Sequence, residues 1–236
     1  MASMVEVFNV GKSFGRNTLA LWDISFTVKK GQLMVISGPA DSGKTTLLRV
    51  ICGQLLPSEG HVLVDGVNVA GVIPSKRQQV LGRAIGIVPS RPLVLKGASA
   101  VKTVLLALAS IGIHGTPALL AAQDALDLAG LLHRSNSPTS ALSEPERRSL
   151  SIARALATRP RVLLADDPII GLDNSAAKDI MTILNRASDQ GTTVIMATRA
   201  DNVWQGQSPD AVCLLAGRIQ HLSGRAKRLN SKEDMK

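Results

Sequence analysis

The nearly continuous apolar run Leu33-Met34-Val35-Ile36-Ser37 breaks into Gly38-Pro39-Ala40-Asp41-Ser42-Gly43-Lys44-Thr45-Thr46. Residues at helical spacing follow through Cys52, with Gly53 as a helix stop. An unbroken apolar run of this length suits a strand covered on both faces, as in a parallel sheet. Gly38 to Thr45 fits G-x-x-x-x-G-K-[ST], a pattern that arises by chance in roughly one chain in a hundred of this length. The setting, strand before and helix after, is what the chemistry requires. Glycines let successive N–H groups turn toward phosphate oxygens, and the following helix points its positive dipole end at them. Lys44 supplies a charge to the β- and γ-phosphates, and the Thr45 hydroxyl is placed to ligate Mg²⁺. As a surface feature whose role is electrostatic, this loop is expected to matter for nucleotide and little for stability.

A phosphate site of this kind also needs a carboxylate at the end of a neighbouring buried strand. Val162-Leu163-Leu164-Ala165-Asp166 supplies one, with Asp167-Pro168 next. Around these anchors the chain reads as alternating elements. Val5 to Val10 and Leu21 to Val28 are expected as strands, and Gly60 to Gly66 as a strand and tight turn. A helical lobe runs from about 101 to 157, interrupted at Gly115-Thr116-Pro117 and at Ser135 to Ser140. Strands are expected again at Arg161 to Ala165 and Thr192 to Ala197, with the helix Asn174 to Ala187 between them. A hairpin spans Asp210 to His221. This order predicts an α/β fold, a parallel-sheet core with a helical subdomain inserted.

Together the phosphate loop, Leu142-Ser143 before a helix Arg147 to Ala157, Asp166, and Leu172-Asp173 resemble the nucleotide-binding subunit of an ATP-binding cassette (ABC) transporter. The likeness runs over residues 4–223, with 224–236 left as a basic polar tail. Leu163-Leu164-Ala165-Asp166 and Gly171-Leu172-Asp173 are most similar to the branch serving lipoprotein release and cell division. The resemblance implies a P-loop NTPase (RecA-like) core, an N-terminal antiparallel β subdomain and a helical subdomain at about 91–157. It implies ATP and Mg²⁺ as ligands, held by Gly38 to Thr46, with Thr45, Asp166 and Ser90 toward the metal. It also implies a second cassette and an integral-membrane, permease-type subunit as partners. Phe14 falls where the family stacks a ring on adenine; an ordinary apolar residue near a turn is the other reading.

Four positions depart from the family's pattern. The LSGGQ signature reads Leu142-Ser143-Glu144-Pro145-Glu146, so that only Ser143 keeps its place toward nucleotide. Glu144-Pro145 removes an N–H, stiffens φ and brings a negative charge toward a polyanion. The glutamate that polarises the attacking water is Asp167, one methylene shorter, and misplacing a base by about 1 Å costs on the order of a hundredfold. The switch histidine is Arg199, a permanent cation that relays no proton. The loop glutamine that senses Mg²⁺ and the membrane subunit is Ser90. Nucleotide binding with slow or absent turnover is the expected result, with Asp167 and Arg199 as the catalytic pair.

Composition limits the alternatives. Lys plus Arg is 27 against Asp plus Glu at 18, a formal charge of +9, which favours nucleotide phosphates, nucleic acid or an anionic membrane face. Aromatics at 2%, with no Tyr, weigh against base stacking, so nucleic acid is not an expected partner. No apolar run reaches the roughly 18 residues of a membrane span. The opening MASMVEVFNV shows no secretory pattern, and two cysteines, Cys52 and Cys213, both at core-like positions, make no disulfide framework. The expected location is cytoplasmic, peripheral at the inner face of the cell membrane. A nucleotide-sensing scaffold of low catalytic power and a soluble cassette acting on nucleic acid or ribosomes are the other readings.

Overall fold

The strand that leads into the loop 38–43, β3 (Leu33–Ser37), lies inside a six-stranded sheet of order β10 (Arg218–Ser223), β9 (Asp210–Leu215), β3, β8 (Thr193–Thr198), β7 (Val162–Asp166), β6 (Ile85–Val88). The computed structural model describes residues 3–15, 18–73, 81–93, 95, 97–199 and 210–223. The tail expected at 224–236 lies outside them. Strands β6, β7, β8, β3 and β9 run parallel; only β10 is antiparallel. A second sheet, fully antiparallel, has order β2-β1-β4-β5, from β1 (Ser3–Phe14), β2 (Thr18–Lys29), β4 (Glu59–Val64) and β5 (Val67–Asn68).

The period-two alternation of the central strands divides the apolar residues into two cores. Met34, Ile36, Val162, Leu164, Ile195 and Ala197 face one side, where they pack with Val7 and Phe26 of the antiparallel sheet and with Leu47 and Ile51 of α1 (Lys44–Ile51). Val35, Leu163, Ala165, Val194 and Met196 face the other. There they meet α2 (Ala100–Ala109), α3 (Gly115–Leu128), α4 (Glu144–Leu156) and α5 (Asn174–Asp189). Both faces are covered, which is why these strands read as unbroken apolar runs.

Local chemistry moved several boundaries. β1 and β2 are twelve residues each because bulges carry the pairing past polar positions: Asn9 (φ 46) and Asp23 (φ 49) take left-handed backbone. The Asn9 side-chain amide donates to Asp23 Oδ1 at 2.7 Å, and its backbone N–H donates to Ser25 Oγ at 2.8 Å. The break expected at Gly115-Thr116-Pro117 falls instead at 110–114. Those three residues form the first turn of α3, where a proline's missing N–H costs nothing. Likewise α4 starts at Glu144 rather than Arg147. Ser143 caps it in a capping box with Glu146, and Pro145 is tolerated in the first turn. The short edge strand β6 escapes sequence reading. Its Gly86 is required because a Cβ there would stand 2.9 Å from Pro160 Cγ and 3.0 Å from Ala155 O. Cys52 and Cys213 are half-buried free thiols, less enclosed than core positions.

Candidate functional site

Parallel strands present their C-terminal ends as a row of backbone turns, the usual place for a ligand in an open α/β sheet. Here β3, β8 and β7 are adjacent, so three segments converge: the loop 38–43, Arg199 after β8, and Asp166-Asp167. A pocket of about 320 Å³ opens there, lined by Ala40 to Thr46 together with Ala20, Asp167 and Arg199. A larger cavity, about 680 Å³, lies at the opposite end of the sheet among the C-terminal ends of α3, α4 and α5, and includes none of the loop residues. The smaller one holds the chemistry.

The loop turns tightly because of its glycines. At Gly38 (φ 148) a Cβ would overlap the Leu214 carbonyl, and at Gly43 (φ 99) it would stand 2.6 Å from Ala20 O. Gly43 begins α1 with no side-chain cap and no acidic residue in the first turn, which leaves the helix's N-terminal dipole without a protein counter-charge. Lys44 is buried. Its ammonium donates to Gly38 O at 2.7 Å, Pro39 O at 2.6 Å and Ser42 Oγ at 3.2 Å. Burial holds its pKa below the ordinary lysine value, against the opposing pull of Asp167 and Asp166. Lys44 therefore organises the loop as well as facing the pocket, and the expectation that it matters little for stability does not fit this burial.

Thr45 Oγ1 lies 3.1 and 3.0 Å from the two carboxylate oxygens of Asp166. Burial pushes the Asp166 pKa up; the Thr45 hydroxyl opposes that, while the Asp167 charge adds to it. A hydroxyl beside a carboxylate is an all-oxygen donor pair of the kind Mg²⁺ prefers, with phosphate oxygens and water completing the shell. Among the described residues no cluster of three His, Cys, Asp or Glu side chains offers an all-protein cage for another metal.

Asp167 (φ 46) sits in left-handed backbone. Its N–H donates to Ala197 O at 2.8 Å, and its Oδ1 accepts from the Arg199 N–H at 3.1 Å. Oδ2 forms an ion pair with Arg199 Nε at 3.4 Å. Behind it, Arg148 of α4 donates to the Asp167 carbonyl at 3.3 Å.

The remaining candidates lie outside this pocket. Phe14, at the end of β1, is exposed, with the Lys12 ammonium 5.3 Å from its ring centre. Ser143 is the N-cap of α4: its Oγ accepts from the Glu146 N–H at 3.4 Å, and its own N–H donates to Glu146 Oε2 at 2.7 Å. That bond is the main reason the Glu146 pKa lies below the ordinary value. Ser90 follows β6, and its carbonyl accepts from Arg148 at 3.5 Å. Glu144, expected to bring a negative charge toward a polyanion, is paired with Arg148 at 3.3 Å. Two contributors were not anticipated: Ala20, which comes from the other sheet, and Arg148, whose only sequence trace is its spacing four residues after Glu144.

A sequence model of the ABC transporter family matches residues 21–170. The chain is 30% identical over 217 residues to the cell division ATP-binding protein FtsE of Streptococcus pneumoniae, covering 92% of this chain and 94% of that protein. It is 34% identical over 221 residues to the methionine import ATP-binding protein MetN 1 of Rhodococcus jostii, covering 92% and 65%. It is 33% identical over 197 residues to the lipoprotein-releasing system ATP-binding protein LolD of Bordetella avium, covering 84% and 86%. Its fold superposes with a TM-score of 0.87 on CbiO1 of Clostridium perfringens, part of the ABC transporter complex cbiONQ, at 26% identity over 94% of this chain and 88% of that one. The ATP-binding cassette MJ0796, dimeric and bound to ADP and Pi, superposes with a TM-score of 0.81 at 27% identity, over 97% and 100%.

Proposed function

Since this chain belongs to the ABC transporter family of ATP-binding cassettes, we propose that it is the nucleotide-binding subunit of a membrane complex that holds Mg-ATP firmly and hydrolyses it slowly. A single ATP-binding domain occupies 4–223, with the helical subdomain at about 91–157. Nucleotide binding follows from the loop: Lys44 exchanges the Gly38 and Pro39 carbonyls for phosphate oxygens, and the uncapped start of α1 faces the same charge. Thr45 and Asp166 would hold Mg²⁺, which would supply positive charge against the phosphates.

Slow turnover rests on one observation, the engagement of Asp167 by Arg199. To act on water the carboxylate must direct a lone pair at it in a fixed geometry. Here one oxygen already accepts a hydrogen bond from the Arg199 backbone N–H, and the other is held in an ion pair with the Arg199 guanidinium. Asp167 is also a methylene shorter than glutamate and has little reach past that pair. In the family's head-to-tail arrangement the Ser143-Glu144-Pro145 turn faces the partner's nucleotide, and Pro145 offers it no N–H.

Among the described residues no helix is long and apolar enough to cross a membrane. The dimeric MJ0796 supports a second cassette as partner, and CbiO1, part of an ABC transporter complex, supports an integral-membrane subunit. Purification of the tagged chain from detergent-solubilised membranes is the test. An integral-membrane protein should co-purify in stoichiometric amount; recovery with ribosomes or nucleic acid alone would favour the soluble-cassette reading.

A further inference from the structure

Arg148 is 9% exposed, and its guanidinium joins three segments that are far apart in sequence. Nη1 lies 3.2 Å from Pro168 O, 3.3 Å from Asp167 O and 3.5 Å from Ser90 O, and Nη2 lies 3.3 Å from Glu144 Oε1. Nε is buried and makes no hydrogen bond among the described residues. A guanidinium kept buried with one donor unmet is held by what its fork reaches. Here the fork reaches the turn after β7, the turn after β6 and the first turn of α4.

We propose that Arg148 is a positioning residue for ATP turnover: it fixes the Asp167 peptide and couples it to the Glu144 end of α4. The reason lies in the backbone of Asp167. Left-handed φ at a non-glycine residue costs on the order of 1 kcal/mol and persists only where surrounding contacts over-determine it. The Asp167 N–H is held by Ala197 O, its side chain by Arg199, and its carbonyl by the Ile170 N–H at 3.2 Å and by Arg148. The first three come from the sheet turns themselves. Arg148 reaches in from the helical layer, so a tilt of α4, or a charge arriving at half-exposed Glu144, moves the Asp167 carbonyl directly. The left-handed turn has one contact that a partner at α4 can reach.

The inference rests on the reading of Asp167 as the group that orients water, and the experiment separates the two. Arg148→Lys keeps the charge and removes the fork. In the full chain, amide hydrogen exchange at Ile170 and Arg199 should rise about tenfold, the cost of one charge-assisted hydrogen bond. ATP hydrolysis, followed with KM and kcat resolved, should lose about fivefold or more in kcat at unchanged KM, and lose nothing further in an Asp167→Asn background. A merely structural role would lower kcat equally in both backgrounds. Unchanged exchange at the two amides, or a kcat loss of the same size with Asp167→Asn present, overturns the proposal. If Asp167→Asn leaves kcat unchanged while the two amides still respond to Arg148→Lys, the water-orienting reading has failed and the positioning contact stands. Should Arg148→Lys not fold, Glu144→Gln, which loosens the same fork from its exposed end, gives the same two readouts and is judged by the same outcomes.

Discussion

Replacing Lys44 with methionine, which keeps most of the side chain's volume, separates two jobs of one ammonium. Without nucleotide, Nζ holds the Gly38 and Pro39 carbonyls and Ser42 Oγ at 2.7, 2.6 and 3.2 Å. A bond to a charged donor contributes about 1.5–3 kcal/mol net where the charge stays well solvated. Burial, however, opposes the charge strongly enough to lower its pKa. The net loss in Lys44→Met is therefore about 1–2 kcal/mol, a fall in Tm of roughly 3–6 °C for a chain of this size. With nucleotide bound, an ammonium about 4 Å from a phosphate charge gains about 4 kcal/mol at an effective dielectric near 20. The carbonyl contacts given up take back part of this. About 2–3 kcal/mol remains, or a roughly 30- to 150-fold loss of ATP affinity.

Calorimetric titration with Mg-ATP and thermal unfolding of the nucleotide-free protein read the two numbers. The pH dependence adds a sign. The folded pKa of Lys44 lies below 10.5, so between the two values the unfolded chain binds more protons and stability rises with pH; Lys44→Met should lose that rise. Affinity within threefold of the parent, or an unchanged Tm, would refute the assignment of Lys44 to both jobs.

Asp166→Asn should raise the Tm of the nucleotide-free protein at neutral pH and abolish any gain on adding Mg-ATP. The Asp166 pKa is raised in the fold, so its unfavourable contribution is complete above the folded value and relieved as pH falls toward 3.8. Gly38→Ala places a Cβ into the Leu214 carbonyl at a φ of 148°, and should cost about 3 kcal/mol or more in thermal unfolding along with ATP binding. Combining Glu144→Gly, Pro145→Gly, Asp167→Glu and Arg199→His should raise the rate of phosphate release by far more than the product of the separate effects, because residues acting as one unit are non-additive. ATP affinity should stay within a few-fold of the parent in that variant.

What could be read from the sequence follows from how far apart the cooperating residues lie. The loop Gly38 to Thr46 is contiguous, and its flanking strand and helix are announced by apolar periodicity, so its local structure was legible in the sequence. Asp166 was legible because a buried strand ends there. The start of α4 was not, because Pro145 reads as a breaker unless Ser143 and Glu146 are recognised as a capping box. β6 was missed because four residues containing a glycine carry too little pattern. Ala20 and Arg148 were invisible for a different reason. Ala20 reaches the pocket across a sheet-to-sheet contact, and Arg148 binds backbone carbonyls, which leave no residue-type signal at their own positions. The charge on Glu144 was legible, but its neutralisation by Arg148 had to be seen.

On this reading the cassette binds ATP and turns it over slowly because Asp167 is engaged by Arg199. This is tested most directly by measuring ATP affinity and phosphate release on the same purified preparation, with its membrane partner present. Mg-ATP binding should be saturable, with kcat well below about 1 s⁻¹, the low end of ordinary enzyme turnover. A kcat at or above about 1 s⁻¹ would contradict this reading, and would mean that Asp167 orients water adequately while paired with Arg199.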